Sequence, residues 1–336
     1  MNFYYQITRT LKLVPTILNI LNYLSVQRSF LSKNIEPILS EARKGNDGNL
    51  DETDFTKINK YYGLAVPAIL GEAFCVLHDK KMSFVERWTA TAQGAMTGLF
   101  DDFFDKACLS DDAIAKMLHE NVPEIKKSNE KFFDFFYMKA LRGAPDKKKM
   151  QQALMEVYNA QVESKKQAEQ TLTEEEIKNI SFLKGGTSLL FYRSAFLPLA
   201  SIEEEKLLYH LGGIMQLAND IFDVYKDREQ NIKTLVTTAN HISPIRRLFE
   251  QELGACYKEA YNMSFPKKNI TGFLSIISIG IFSRAFVCLD QLEKNESATN
   301  NEFAVHQYTR KQLICDMDKK RNMLRSAAYH ISGIKF

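Results

Sequence analysis

The chain has 336 residues, 45% of them hydrophobic and 25% charged, with a net charge of only +3. That length buries a large core, and that balance lacks the basic footprint of a nucleic-acid partner, so none is expected. The five cysteines, Cys75, Cys108, Cys256, Cys288 and Cys315, form no C-x-x-C pair, a pattern of buried thiols in a reducing, cytoplasmic compartment and not of a disulfide frame or a zinc site.

The first predicted element is a helix. Arg9 and Lys12 precede LVPTILNILNYLSV, but Asn19 and Asn22 interrupt the apolar run and no small-residue cleavage site follows, so it reads as an amphipathic helix and not a leader. This helix is the candidate for peripheral membrane contact. No stretch reads as the ~18 consecutive apolar residues that span a bilayer. With only eight prolines and fifteen glycines, helical periodicity dominates and no run alternates as a strand would. The expectation is an all-α chain, one domain over residues 1–336, with about ten or more helices and loops at 44–52, 142–149 and 295–301. The lysine run at Lys147, Lys148 and Lys149 reads as a solvated loop.

Next along the chain comes LFDDFFDKA. Asp101 and Asp105 fall together on a helix, with Asp102 beside them. Like charges at i,i+4 repel by a few tenths of a kcal/mol, roughly, unless a cation lies between them. Upstream on that face are Gly94, Thr97 and Gly98, small residues that suit a cavity wall, although an ordinary helix end opposite Leu99 and Phe103 also fits. Thr173 and Glu176 have capping-box spacing, as do Ser201 and Glu204. Between them, Lys184-Gly185-Gly186-Thr187-Ser188 reads as a break whose freed amides form an anion site beside Lys184, or else as a tight packing point or an interhelical loop. In QLANDIFDVYKD, Asn219, Asp223 and Asp227 repeat at i, i+4 and i+8, one stripe of oxygen ligands flanked by Asp220 and followed by Lys226, Arg228 and Lys233. The same face upstream holds Gly212, Met215 and Gln216. Hard divalent cations take such carboxylates, one or two per ion, and leave positions for phosphate oxygens. The six histidines have no ligand spacing near these patches, which argues against a dimetal helical hydrolase.

Taken together these residues resemble the class I isoprenoid synthases, helical bundles with two acidic motifs on facing helices around a central cavity. Asp101-Asp102-Phe-Phe-Asp105 matches D-D-x-x-D. Asn219-Asp220-Ile-Phe-Asp223-Val-Tyr-Lys-Asp227 has the spacing of N-D-x-x-S/T-x-x-x-E, with aspartate at both variable positions. Gln216, Asn219, Asp223 and Asp227 also match the Q-x-x-N-x-x-x-D-x-x-x-D of squalene and phytoene synthases. Lys184, Gly185, Gly186, Gly212 and Gly213 are similar to the bacterial tetraprenyl-β-curcumene synthase-like group. The motif-bearing part is roughly residues 85–240. The chain departs from the elongating prenyltransferases in lacking G-K-x-x-R and paired arginines after the first motif, where Lys106 stands alone. It departs from the head-to-head synthases at Asp220, and it has no D-x-D-D.

The resemblance implies a Mg²⁺-dependent terpene synthase that ionises a long prenyl diphosphate, with up to three Mg²⁺ ions. The alternatives are a trans-prenyltransferase or head-to-head synthase and, in another class, a non-catalytic isoprenoid-binding helical protein. Asp101, Asp102 and Asp105 would serve metal from one motif, with Asp102 the outer or bridging partner, and Asn219, Asp220, Asp223 and Asp227 from the other. Lys184, Arg193, Arg228, Lys233, Tyr308 and Arg310 would grip the diphosphate. Trp88, Thr97, Phe100, Phe191, Tyr192, Tyr209 and Phe222 would line the cavity, where aromatic faces favour a carbocation. Small residues at Gly94, Thr97, Gly98 and Gly212 imply a roomy pocket. The resemblance also implies a homodimer.

Overall fold

Sparse glycine and proline leave the helical periods unbroken, and the computed structural model is accordingly all-α: it describes residues 2–105, 109–118, 127–169 and 171–332, and no β-strand occurs among them. Contacts group the chain into two compact units. The helices in chain order are α1 (Asn2–Asn34), α2 (Glu36–Lys44), α3 (Glu52–Thr56), α4 (Tyr62–Ala65), α5 (Glu72–Leu77), α6 (Phe84–Asp105), α7 (Asp111–Leu118), α8 (Ser128–Gly143), α9 (Lys147–Ser164), α10 (Lys166–Glu169) and α11 (Glu174–Arg193). They continue with α12 (Ile202–Phe222), α13 (Val224–Glu229), α14 (Ile242–Asn262), α15 (Lys267–Ile277), α16 (Ser283–Ala298), α17 (Arg310–Leu313) and α18 (Lys320–Ser332). π-helical turns at Lys57–Tyr61, Val66–Gly71 and Ser278–Phe282 join neighbouring helices without a break.

The first unit comprises Leu18–Asn159 and Leu190–Ser201. Its core is the α6–α8 pair, where the Phe100 ring stacks on Phe133 at 5.8 Å and Phe103 meets the same ring edge-on at 5.4 Å. The segment after α11 closes this unit. Phe196 packs on Phe74, and the Glu86 carboxylate, paired with Lys80, accepts the Leu197 N–H at 3.1 Å.

The second unit comprises Met1–Ile17, Ala160–Leu189 and Ile202–Phe336. The helix α12 packs on α14 and α16, burying Leu207, Leu211, Ile214, Phe249, Leu253 and Leu289 completely. Thr173 and Glu176 form the expected reciprocal cap of α11, with Thr173 N–H donating to Glu176 Oε2 at 2.8 Å and Glu176 N–H to Thr173 Oγ1 at 3.3 Å.

Four expectations change. The helix α11 runs unbroken through Gly185 and Gly186, so no amides are freed there and the half-helix anion site is not formed. The helix α16 continues to Ala298, with Asn295 buried and donating to Gln312 O, so the third loop begins only at Thr299. The connection after α8 is confined to 144–146. Finally, Glu52–Leu77 and Lys267–Ala298 are helical stretches long and apolar enough to cross a membrane by composition, although 61% of each apolar window is buried within the fold, as in core helices.

Candidate functional site

The two acidic motifs lie in different units, one on α6 and the other on α12 and α13.

In the second unit, glycines decide the geometry. A Cβ at Gly185 would lie 2.1 Å from the Gly212 carbonyl oxygen, and one at Gly212 would lie 2.3 Å from that of Gly185. Gly186 sits under the Tyr209 ring and Gly213 under the Phe182 ring. Only hydrogen fits, so α11 and α12 cross with their backbones in contact. This crossing brings Ser181 to the acidic segment of α12. Ser181 Oγ donates to Asp220 Oδ2 and Gln216 Nε2 to Asp220 Oδ1, both at 2.9 Å. Asp220 is thus 4% exposed with both carboxylate oxygens engaged. Burial raises its pKa, against the pull of those two donors and of Lys184.

The stripe itself is less buried. The helix bends at Asp223, which stands at the N-terminal boundary of α13 without a side-chain capping bond, yet Asp223 N–H donates to Asn219 O at 2.8 Å and Asp227 N–H to Asp223 O at 2.9 Å, so the one-turn spacing survives. Asn219 is exposed, and Asp223 and Asp227 are half-buried. Burial raises the Asp223 carboxyl, while Lys226, Asn219 and Lys184 oppose it. Asp227 is pushed up to about 7 by burial and by the negative charges of Asp220 and Asp223, with Lys226 and Lys184 only partly compensating. At Asp227 the charges of Asp220 and Asp223 outweigh those of Lys226 and Lys184, which favours an added cation. Among the described residues, however, no group of three or more His, Cys, Asp or Glu side chains is gathered closely enough to hold a metal ion.

The basic candidates of this unit differ from one another. Arg228 donates through Nη1 to Tyr308 O at 2.6 Å and Val305 O at 3.2 Å, and pairs with Glu229. Its guanidinium lies 4.9 Å over the Tyr225 ring, and that of the exposed Arg310 lies 5.9 Å from the same ring. Tyr308 is buried, its hydroxyl 2.6 Å from Thr299 Oγ1. Lys233 is half-buried, and its backbone exchanges hydrogen bonds with Gln167. Tyr225, whose ring both guanidiniums approach, had no distinguishing mark in the sequence. Tyr209 is partly exposed over Gly186, and Phe222 is half-buried at the end of α12.

In the first unit, α6 is again shaped by glycine. A Cβ at Gly94 would lie 2.5 Å from Tyr62 O, and one at Gly98 would lie 3.1 Å from Lys57 Cβ. The turn Lys57–Tyr61 therefore lies directly on α6. Lys57 Nζ reaches Asp102 Oδ1 at 2.5 Å, and Tyr62 Oη donates to Asp101 Oδ2 at 3.2 Å. Asp102 is buried in this ion pair, and Asp101 is half-buried. The side chain of Asp105 lies outside the described residues, as do Lys106 and Cys108. Thr97 Oγ1 stands 3.0 Å from Tyr192 Oη, and burial raises that phenol, with the Asp101 charge adding to it.

The small-residue faces therefore do not wall a roomy pocket: Gly94, Gly98 and Gly212 are close-packing points, filled by the Lys57–Tyr62 backbone and by α11. Phe100 and Phe191 are core residues at 2% and 3% exposure. Trp88 is half-buried, edge-on to Phe30 with Lys139 Nζ 4.5 Å from its ring. Arg193 is 2% exposed and donates to Phe196 O at 2.8 Å and Pro198 O at 2.7 Å, with His78 Nε2 at 3.0 Å, so it fastens its own loop. A cavity of about 30 Å³ in the second unit is lined by other residues, among them Tyr257, Tyr261 and His330.

No family model matches the chain, and no curated protein matches it. A solved structure of a dehydrosqualene synthase in complex with ligand is similar over 94% of this chain and 98% of that one, at 13% identity and a TM-score of 0.35.

Proposed function

We propose that the chain is an enzyme of the class I isoprenoid synthase type, and within it a terpene synthase that takes one prenyl diphosphate and releases diphosphate and a terpene. The observation that carries this reading is the stripe Asn219, Asp223 and Asp227, three oxygen donors one helical turn apart in a segment with surplus negative charge. Oxygen-only donors fit Mg²⁺ and suit neither zinc nor a soft metal. Asn219, Asp223 and Asp227 would hold the ion, and Asp101 and Asp105 are the carboxylates of the other motif. When bound, Mg²⁺ supplies neutralisation of the diphosphate leaving group.

The chain's own residues do the rest. Asp220, held by Ser181 and Gln216, fixes the α12 end of the stripe and adds negative charge behind it. Lys184 and Lys226 offset part of that charge. Lys57 holds the buried Asp102 in an ion pair, and Tyr62 donates to the half-buried Asp101.

The test is diphosphate release from purified protein with Mg²⁺ and C10, C15, C20 or C25 prenyl diphosphates given singly. Release from one substrate alone, reduced about 100-fold or more in Asp101→Asn and Asp223→Asn, supports the proposal. Release only with added isopentenyl diphosphate indicates an elongating transferase. A product joining two identical prenyl chains indicates a head-to-head synthase. No release, with variants indistinguishable from the parent, indicates a non-catalytic protein.

A further inference from the structure

The helix α16 presents Cys288, Gln291 and Asn295 on one face, at i, i+3 and i+7. Gln291 Nε2 donates to Gln312 O at 2.7 Å and to Ile314 O at 3.1 Å, and Asn295 Nδ2 donates to Gln312 O at 2.9 Å. These bonds hold the extended segment after α17 along the helix, and its next residue is Cys315. Because Gln291 holds Ile314 and Asn295 holds Gln312, the segment runs toward the Cys288 end of this face and brings Cys315 to it. Cys288 is buried and Cys315 half-buried.

We infer that Cys288 and Cys315 form a reversible, peroxide-responsive thiol pair, with Cys315 the attacking sulfur and Cys288 the resolving one.

The surroundings divide the roles. The neighbouring Cys288 thiol lowers the Cys315 pKa against the opposing effect of burial, and Arg325 and Lys319 add to the lowering while Asp316 resists it. Asn322 Nδ2 lies 3.6 Å from Cys315 Sγ, a further donor to a thiolate. The neighbouring Cys315, with burial, raises Cys288. A low-pKa, accessible thiol beside a resolving cysteine is the arrangement that oxidises reversibly. The Cys315 thiolate attacks hydrogen peroxide, the O–O bond breaks, and hydroxide leaves a sulfenic acid on Cys315. The Cys288 sulfur then displaces the sulfenic oxygen, its proton leaves with that oxygen as water, and the S–S bond forms. Two thiols are oxidised, one peroxide is reduced, and two waters result.

The disulfide would lock the strap that runs from Val305 to Cys315 onto α16. Arg228, on α13 beside Asp227, donates to two carbonyls of that strap. The inference does not depend on the proposed enzymatic reaction.

The full chain is treated with hydrogen peroxide, denatured and alkylated, and its mass and cross-linked peptides are read. The expected result is loss of two of the five alkylatable thiols, a Cys288–Cys315 linked peptide, full recovery on reduction with dithiothreitol, and a raised unfolding midpoint after oxidation. Cys315→Ser, at a half-buried position, should abolish the cross-link and the midpoint rise, and Cys256→Ser should keep both. Five alkylatable thiols after peroxide, oxygen adducts on Cys315 without the cross-link, or a cross-link to any other cysteine would each overturn the inference.

Discussion

The half-buried Asp227 and the buried Glu86 are carboxylates with opposite responses to pH. Asp227 has its folded pKa raised from 3.8 to about 7, so the folded state binds the proton more tightly than the unfolded chain. Its contribution is favourable below the unfolded value and is lost as pH rises through about 7. Asp227→Asn should therefore raise the thermal midpoint at pH 8 by a few degrees, roughly, and leave it nearly unchanged at pH 4. A fall at pH 8 would show that the carboxylate has a structural partner. Burial pushes Glu86 up, but donors from Lys80, Ser83 and Leu197 outweigh it and hold the pKa below 4.5. That stability is present above the unfolded value and disappears as pH falls through the lower folded one. Glu86→Gln should cost about 2 kcal/mol at pH 7 in denaturant titrations, with the difference closing under acid conditions. The Asp227 stripe was legible because carboxylates one turn apart leave a mark in sequence spacing. The Lys80–Glu86–Leu197 arrangement was not, since its two ends are far apart in the chain and nothing local pairs them.

Glycine pairs admit two helical readings, and the choice between them rests on what lies opposite. Gly185-Gly186 reads equally as a helix breaker and as a bare patch, and only the matching Gly212-Gly213 on α12 decides for the second. Gly185→Ala should destabilise the chain by about 3 kcal/mol, because the new methyl meets a backbone oxygen that cannot swing away. Thermal unfolding would check it, and an unchanged midpoint would mean the helices can separate freely. The small face of α6 was misread for the same reason: sequence marks absent side chains but not whether backbone or empty space fills the gap. The π-helical turns carried no periodic signature at all. Their effect is concrete at Lys57–Tyr61, where Tyr62 N–H bonds to Lys57 O in an i→i+5 ladder. Five residues along an α-helix point ~140° apart, whereas an i→i+5 ladder stacks them. Lys57 and Tyr62 thus address adjacent carboxylates, Asp102 and Asp101. Deleting the exposed Lys60 removes the extra residue of that turn and should unseat one partner, lowering the midpoint by about 2 kcal/mol equivalent. Wild-type stability in that deletion would refute the register argument.

At the scale of the whole molecule, helical content was readable from composition and periodicity, because long apolar periods and few breakers leave no other regular structure. The grouping into units was not, because three of its four boundaries fall inside continuous helices: α1, α9 and α11 each change unit along their length. The first unit draws Leu190–Ser201 from across that boundary, and with it the Phe196 ring on Phe74 and the Arg193 clasp. A polypeptide of residues 18–159 alone lacks those groups. It should stay loosely packed by near-ultraviolet circular dichroism, gaining fixed aromatic signals when a synthetic 190–201 peptide is added. A fully ordered fragment without the peptide would contradict this. The same interleaving bears on how such a chain can be altered by recombination. Its units have no seam at which one could be exchanged for a homologous piece, so viable chimaeras must swap two or three stretches at once. Gradual substitution, and not shuffling, is the route by which this architecture can diversify.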